Sequence, residues 1–195
     1  MPRKRISTKG RIVKAAWNLF SKKGYDNTTI EDIISLSKTS KGTFYHYFKG
    51  KESLLNTLSD LFDDKYEELL PTLDPDMSAK DKLLFLNHQV FDMIETSIDI
   101  SILAYLYSSQ ITTKDTRSLS DTNRLYFRCC TQIFQEGIDS GEFNGSNTAS
   151  ELMDVYAMFE RSALYDWALK DGTESLTQKT DRLLPHVIDF LKKGF

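Results

Sequence analysis

Between residues 28 and 55 the chain reads TTIEDIISLSKTSKGTFYHYFKGKESLL, and Lys41, Thr43, Tyr45, His46 and Tyr47 fall inside one seven-residue stretch. Their chemistry is that of contact with a polyanion and with base edges. A lysine or histidine N–H donates to guanine acceptors, a threonine methyl meets a thymine methyl, and hydroxyls reach phosphate oxygens. Gly42 has no side chain and lets backbone approach a surface closely. Phe44 and Phe48, spaced i and i+4, share one helical face and can anchor such a helix from behind. Nothing of equal density points to catalysis. The histidines at 46, 88 and 186 lack metal-ligand spacing, and there is no Gly-rich phosphate loop and no nucleophile elbow. Ser35-x-x-Lys38 fits a common pattern whose companions are missing. An enzyme is therefore not expected, and no catalytic residue, metal site or cofactor is assigned.

The elements that must hold these residues are short. Ile12, Ala15, Ala16, Leu19 and Phe20 recur at helical spacing and predict a first helix over about 7–23, stopped at Gly24. A second begins at Thr28 or Thr29, either of which starts a capping-box spacing, and takes Ile30, Ile33, Ile34 and Leu36 as its apolar side. A third runs from about Ser40, its N-cap, to Tyr47. A long fourth helix is expected over about 51–70, ended by Pro71 and Pro75. Two short helices joined by a tight turn are the layout of a helix-turn-helix DNA reader.

The same residues resemble the N-terminal domain of the TetR family of transcriptional regulators. Thr28-Thr29, Ile33, Ser40, Lys41-Gly42-Thr43-Phe44-Tyr45-His46-Tyr47-Phe48 and Lys51-Glu52-Ser53-Leu54-Leu55 sit at the spacings of that family's core. One place departs from it. The family's bend usually has glycine, and here Lys38 and Thr39 occupy it; a non-glycine residue in a left-handed bend costs about 1 kcal/mol. The resemblance implies an all-α protein of about nine helices. It divides into a helix-turn-helix DNA-binding domain at 1–50 and a helical ligand-binding and dimerisation domain at 51–195. It also implies DNA contacts by Thr29, Lys41, Gly42, Thr43, Tyr45, His46, Tyr47 and Lys51, with Thr29, Tyr47 and Lys51 on phosphates.

Charge divides the chain at the same place. The net charge is −3, yet residues 1–51 carry twelve Lys and Arg against three acids, and the rest carries 13 bases against 25 acids. A basic module on an acidic body points to a polyanionic partner for the first part only. The opening MPRKRISTKGR has no apolar stretch behind it, so it reads as a basic arm for phosphates or a minor groove and not as a secretory signal. No run of about 18 apolar residues exists, so no membrane span is expected. The two cysteines, 129 and 130, are adjacent, and such a thiol pair is read as structural. A cytoplasmic chain is expected.

Beyond residue 70 the pattern stays helical, over about 79–96, 98–109, 116–139, 147–169 and 175–193. One reader alone covers too few base pairs, and a dimer sets two of them about 34–36 Å apart on one duplex face. The resemblance places the homodimer contact on the last two helices. Their apolar residues Leu152, Val155, Tyr156 and Phe159, and Leu184, Val187, Ile188 and Leu191, are the expected interface, flanked by Ala163 and Leu183. It also implies a small-molecule pocket in the body. Sixteen of the 23 aromatics lie there, which suits a largely apolar or aromatic effector. Phe62, Tyr66, Phe85, Phe91, Tyr105, Tyr126, Phe134 and Tyr156 are the candidate lining. His88 and Arg161 are candidate polar handles, with Asn87, Gln110 and Asn123 as weaker ones. The function read from this is a homodimeric repressor released from a near-palindromic DNA operator by that effector. A regulator of this type without a small ligand, or a non-specific architectural DNA binder, are the alternatives.

Overall fold

The computed structural model describes residues 7–112 and 117–195, and among them every regular element is helical. The expected basic arm lies, over residues 1–6, outside the described residues. The described residues form ten α-helices: α1 Thr8–Lys23, α2 Ile30–Ser37, α3 Lys41–Tyr47, α4 Glu52–Leu55, α5 Thr57–Leu69, α6 Ala79–Ser97, α7 Ile100–Thr112, α8 Leu125–Asp139, α9 Ala149–Leu169 and α10 Leu176–Lys193. Single 3-10 turns lie at Leu70–Thr72 and Ser118–Ser120. Contacts gather into two compact units. The first holds the described residues up to Ser59 together with Asp99–Arg117, and the second holds Asp60–Ile98 and Ser118–Phe195.

In the first unit α1 starts on the Ser7 hydroxyl, which accepts from the Gly10 N–H at 3.0 Å, and stops at Gly24, whose φ of +81° suits glycine. Ile12, Ala16 and Phe20 of α1, Ile33 of α2 and Phe44 of α3 are fully enclosed. Leu36, expected on the buried side of α2, is instead half in solvent. α2 is capped by Thr29, not Thr28: its hydroxyl accepts from the Asp32 N–H, and the Asp32 carboxylate accepts from the Thr29 N–H in return. The bend after α2 is left-handed at Lys38 (φ 53°, ψ 49°) without a glycine.

The expected single helix over 51–70 is broken at Asn56 into α4 and α5. The Thr57 hydroxyl donates to Leu54 O and the Ser59 hydroxyl to Asn56 O, each at 2.6 Å. Such back-bonds compete with the helix ladder and bend it. The Asn56 side chain is itself engaged by Gln110 Nε2 at 2.7 Å. That bond belongs to α7, which buries Ile102, Leu103 and Leu106 and packs on α4.

In the second unit α6 packs on α10 and α8, while α9 packs on α8 and α10. Leu83, Leu86, Phe134, Phe143, Leu152, Tyr156, Leu184 and Ile188 are enclosed among them. Two carboxylates bind one helix to the start of another. Glu142 accepts from the Ala79 and Lys80 N–H groups of α6 and pairs with Lys192 of α10 at 2.9 Å. Glu95 of α6 accepts from the Thr177 N–H at 2.9 Å and hydroxyl at 2.7 Å at the start of α10. Each satisfies helix-terminal donors that would otherwise lack partners. Helix α8 begins at Leu125, nine residues later than its amphipathic pattern predicts. Asp121 turns the chain by accepting from the Asn123 N–H at 3.0 Å, and Arg124 is held by Asp63 at 2.8 Å, so the chain enters the helix only there.

Candidate nucleic-acid interface

Ser40 sets α3: its hydroxyl accepts from the Thr43 N–H at 3.1 Å and lies 2.8 Å from the Thr43 hydroxyl. One face of the helix is closed. Phe44 is fully buried and Phe48 nearly so, their rings 5.8 Å apart. The remaining positions look outward. Lys41, Gly42 and His46 are exposed, and Tyr45 and Tyr47 are 47% and 41% exposed. A tyrosine suits contact with a partner, since its ring is apolar and its hydroxyl can donate and accept. Tyr45 rests edge-on against Phe44 at 5.4 Å, and His46 and Tyr47 meet edge-to-face at 4.8 Å. The buried phenylalanine thus orients the exposed row.

The other expected DNA contacts are already engaged inside this unit, to different degrees. Lys41 pairs with Glu31 at 3.2 Å with both side chains about two-thirds exposed. A surface pair of that kind contributes about 0–1 kcal/mol and yields easily to a phosphate. The Thr29 hydroxyl is spent on the cap and donates to Asp32 at 2.6 Å. Lys23, the Thr29 hydroxyl and the Thr29 N–H together hold the Asp32 carboxyl far below the usual carboxylate range. The Lys51 ammonium donates to Tyr25 O at 2.7 Å and lies 4.2 Å from the Tyr25 ring centre. Sequence reasoning missed a further basic feature. Arg11, Lys14, Asn18 and Lys22 follow one face of α1 and, with Leu36 and Lys38, line a groove of about 470 Å³. Their spacing of three and four residues was the available signal.

The second unit encloses its polar chemistry. Glu160 is buried, and its carboxylate accepts from Asn87 Nδ2 at 2.6 Å and from the Tyr126 hydroxyl. Burial pushes its pKa up, and the bonds from Tyr126, Asn87 and Tyr156 only partly offset that. The Tyr66 ring lies tilted against that of Tyr126 at 5.3 Å, Tyr156 meets Phe134 at 5.7 Å, and the Tyr156 hydroxyl donates to Leu83 O at 3.3 Å. Of the candidate lining, Tyr66, Tyr126, Phe134 and Tyr156 therefore come together. Phe62 and Phe91 are buried in the same unit and Phe85 is half-buried. Arg161 adjoins Glu160 and lowers its pKa through its charge. Two candidates fall elsewhere. His88 stands on the surface of α6, 3.0 Å from Asp181, because its position turns away from the face carrying Asn87. Tyr105 belongs to the first unit, where its ring lies 4.5 Å from that of Tyr25. Of the weaker polar handles, only Asn87 reaches the cluster; Gln110 holds Asn56 and Asn123 shapes a turn. Glu160 was missed, although one acid between Tyr156 and Leu164 on an apolar stripe is a readable sign.

Among the described residues no group of three or more His, Cys, Asp or Glu is placed to hold a metal, and no helix is long and apolar enough to cross a membrane. Cys130 is buried and Cys129 half-buried, both as free thiols.

Residues 12–58, which run from within α1 past the end of α4, match the model of the bacterial regulatory proteins of the tetR family. That span carries the DNA-binding domain of the TetR family. Over 136 residues it is 26% identical to the fatty acid metabolism regulator protein of Bacillus subtilis, spanning 68% of this chain and 69% of the relative. It is 27% identical over 139 residues to the uncharacterized HTH-type transcriptional regulator YerO of the same organism, covering 67% of this chain but 48% of that longer protein. The crystal structure of Thermus thermophilus FadR, a TetR-family repressor in complex with lauroyl-CoA, aligns over 93% of both chains with a TM-score of 0.71. At 18% identity that likeness shows the fold alone.

In the second unit the last two helices do not turn the expected stripe outward. Leu152 and Tyr156 of α9 and Leu184, Ile188 and Leu191 of α10 are fully enclosed by their own chain, where they build the core of the second unit. Val155, Phe159 and Val187 are half-buried at its border. The apolar side chains left in solvent are Met158, Tyr165 and Leu169 on α9 and Leu183 and Phe190 on α10. Helical periodicity gave the apolar side of each helix but not which part of it a neighbouring helix covers.

Proposed function

We propose that this regulator is a homodimeric repressor that reads a near-palindromic operator with α3 and leaves it when a small, largely apolar effector occupies the second unit. The observation that carries the reading is the outward row of Tyr45, His46 and Tyr47 beside Lys41 and Gly42, fixed from behind by buried Phe44. Tyr45 and His46 address base edges in the major groove. Lys41, Tyr47, Thr29 and Lys51 address phosphates, with Thr43 bridging the two sets. Residues 1–50 serve as the DNA-binding domain, and 51–195 bind effector and partner.

The dimer contact uses the outer faces of α9 and α10, around Met158, Phe159, Tyr165, Leu183, Val187 and Phe190. Exposed apolar side chains at helical spacing on two neighbouring helices support a four-helix contact. The effector is read at the enclosed cluster of Tyr66, Tyr126, Phe134, Tyr156 and Glu160. An acyl thioester is the first effector to test: the solved relative from Thermus thermophilus holds lauroyl-CoA, and the Bacillus subtilis relative is a fatty acid metabolism regulator. The protein acts in the cytoplasm, where both DNA and such thioesters are found.

Selection of bound duplexes from a randomised pool at physiological salt tests the reading. It expects an enriched near-palindrome with half-sites about one helical turn apart, and release of that duplex on adding lauroyl-CoA. Binding without enrichment that fades as salt rises would replace it with a non-specific architectural role. Enrichment with no response to effectors would leave a regulator that needs no small ligand.

A further inference from the structure

Lys51, the phosphate-facing lysine of the reading above, spends its charge inside the first unit. Its ammonium donates to Tyr25 O at 2.7 Å and reaches Asp26 O at 3.5 Å, and it sits 4.2 Å from the centre of the Tyr25 ring. The support for that seat comes from α7. The Tyr25 ring lies between Phe20, at 5.1 Å, and Tyr105, at 4.5 Å. The Tyr105 hydroxyl donates to the Asp26 carboxylate. One α7 side chain therefore pins both residues whose carbonyls hold the lysine. The far end of α7 is fastened as well: Gln110 Nε2 donates to Asn56 Oδ1 at 2.7 Å, and Arg117 Nε donates to Gln110 O at 2.9 Å.

At the centre of this node the Tyr25 hydroxyl is buried and, among the described residues, has no hydrogen-bond partner. Native interiors seldom keep such a group. Its presence beside a displaceable surface lysine marks an arrangement with a competing alternative. A carbonyl and a ring face are neutral partners for an ammonium, and a phosphate is an anionic one that forms the stronger, charge-assisted bond.

We propose that Tyr105 is a positioning residue that withholds Lys51 from the DNA backbone, so that α7 sets how many phosphates the first unit can engage. The inference rests on the reading that this unit binds duplex DNA. Withdrawal of Tyr105 frees the Tyr25–Asp26 segment, and Lys51 moves from Tyr25 O to a phosphate oxygen.

The test uses the full chain and a defined mixed-sequence duplex, with affinity measured by fluorescence anisotropy over a series of salt concentrations. Each phosphate contact adds about 0.9 to the slope of log K against log salt. Tyr105→Phe keeps the ring stack and removes the hydroxyl. It should bind roughly three- to tenfold tighter with a slope steeper by about 0.9. Lys51→Gln should abolish the gain, so that the Tyr105→Phe/Lys51→Gln double variant matches Lys51→Gln alone. If Tyr105→Phe is poorly folded by thermal melting, Asp26→Ala removes the acceptor from the other side and should likewise steepen the slope by about 0.9. An unchanged slope, weaker binding by Tyr105→Phe, or a gain that survives Lys51→Gln would overturn the proposal while leaving the DNA-binding reading intact. Absence of duplex binding by the unsubstituted chain would sink both.

Discussion

In the first unit Tyr45, His46 and Tyr47 stand in solvent around a fully buried Phe44, whereas in the second Glu160, Asn87, Tyr126 and Tyr156 are enclosed and the surface is acidic. The two regions place their chemistry at opposite depths for a physical reason. A duplex is a large charged surface that must be met from outside by donors already desolvated on one side only. A small apolar molecule gains its affinity by removal from water, so its few polar contacts must be interior and satisfied beforehand. In the function proposed above, stability and recognition are carried by different residues of the same helix in the first unit, and by the same ones in the second.

That contrast can be broken most forcefully at the two cores. Phe44→Ala should lower stability by about 3–5 kcal/mol and abolish DNA binding, seen as loss of the cooperative thermal transition of the reader. Leu184→Ala should cost about 2–5 kcal/mol in urea melts because that side chain is core. Phe190→Ser, at a 53% exposed position on the same helix, should leave monomer stability within about 0.5 kcal/mol and shift the dimer to monomer in sedimentation. A comparable loss of stability from both would erase the distinction between enclosed and outward faces of α10.

Separation of fold from recognition is sharpened on α3. Tyr45→Ala and His46→Ala should each change stability by no more than about 0.5 kcal/mol, yet weaken operator binding by about 1–3 kcal/mol. Stability losses as large as that of Phe44→Ala would place these side chains in the core after all.

For the second unit the matching test is titration. The Glu160 carboxyl has its folded pKa raised above the ordinary 4.5 by burial. Its favourable contribution is then present in full below the unfolded value and is lost as pH rises through the raised folded value. Glu160→Gln does not titrate. The stability of the natural chain relative to this variant should fall as pH rises above the ordinary carboxylate range in denaturant melts. A difference that is flat with pH would mean that the carboxyl is not effectively buried.

The smallest effect is expected at the bend. Lys38 holds φ 53°, a region where glycine is unstrained, so Lys38→Gly should stabilise the reader by about 0.5–1 kcal/mol. Destabilisation would show that the lysine side chain compensates for its backbone.

Much of the first unit was legible before any coordinates because its signals are local. Capping residues Thr29 and Ser40, the stop at Gly24 and the i, i+4 pair Phe44 and Phe48 act within one turn of where they stand in the chain. The break at Asn56 was not legible, since it depends on hydroxyl back-bonds and on Gln110, 54 residues away. The same holds for Lys51 and Tyr105, whose roles are set by Tyr25 and Asp26 across the unit. In the second unit periodicity identified apolar stripes on α9 and α10, but burial by α6 and α8 decides which residues remain outside. His88 illustrates the limit: one position along a helix from Asn87 turns a side chain from the interior cluster to the surface.

In the proposed function the outward row of α3 reads sequence while the rest of the first unit supplies charge. The most direct measurement is the affinity ratio between the selected duplex and a scrambled one at physiological salt, for the natural chain and for the Tyr45→Ala/His46→Ala double variant. A ratio of about 10³ or more is expected for the natural chain. For the variant the ratio should collapse toward unity, with binding to the scrambled duplex retained. A variant that keeps the full ratio, or one that loses both affinities in proportion, would contradict that function.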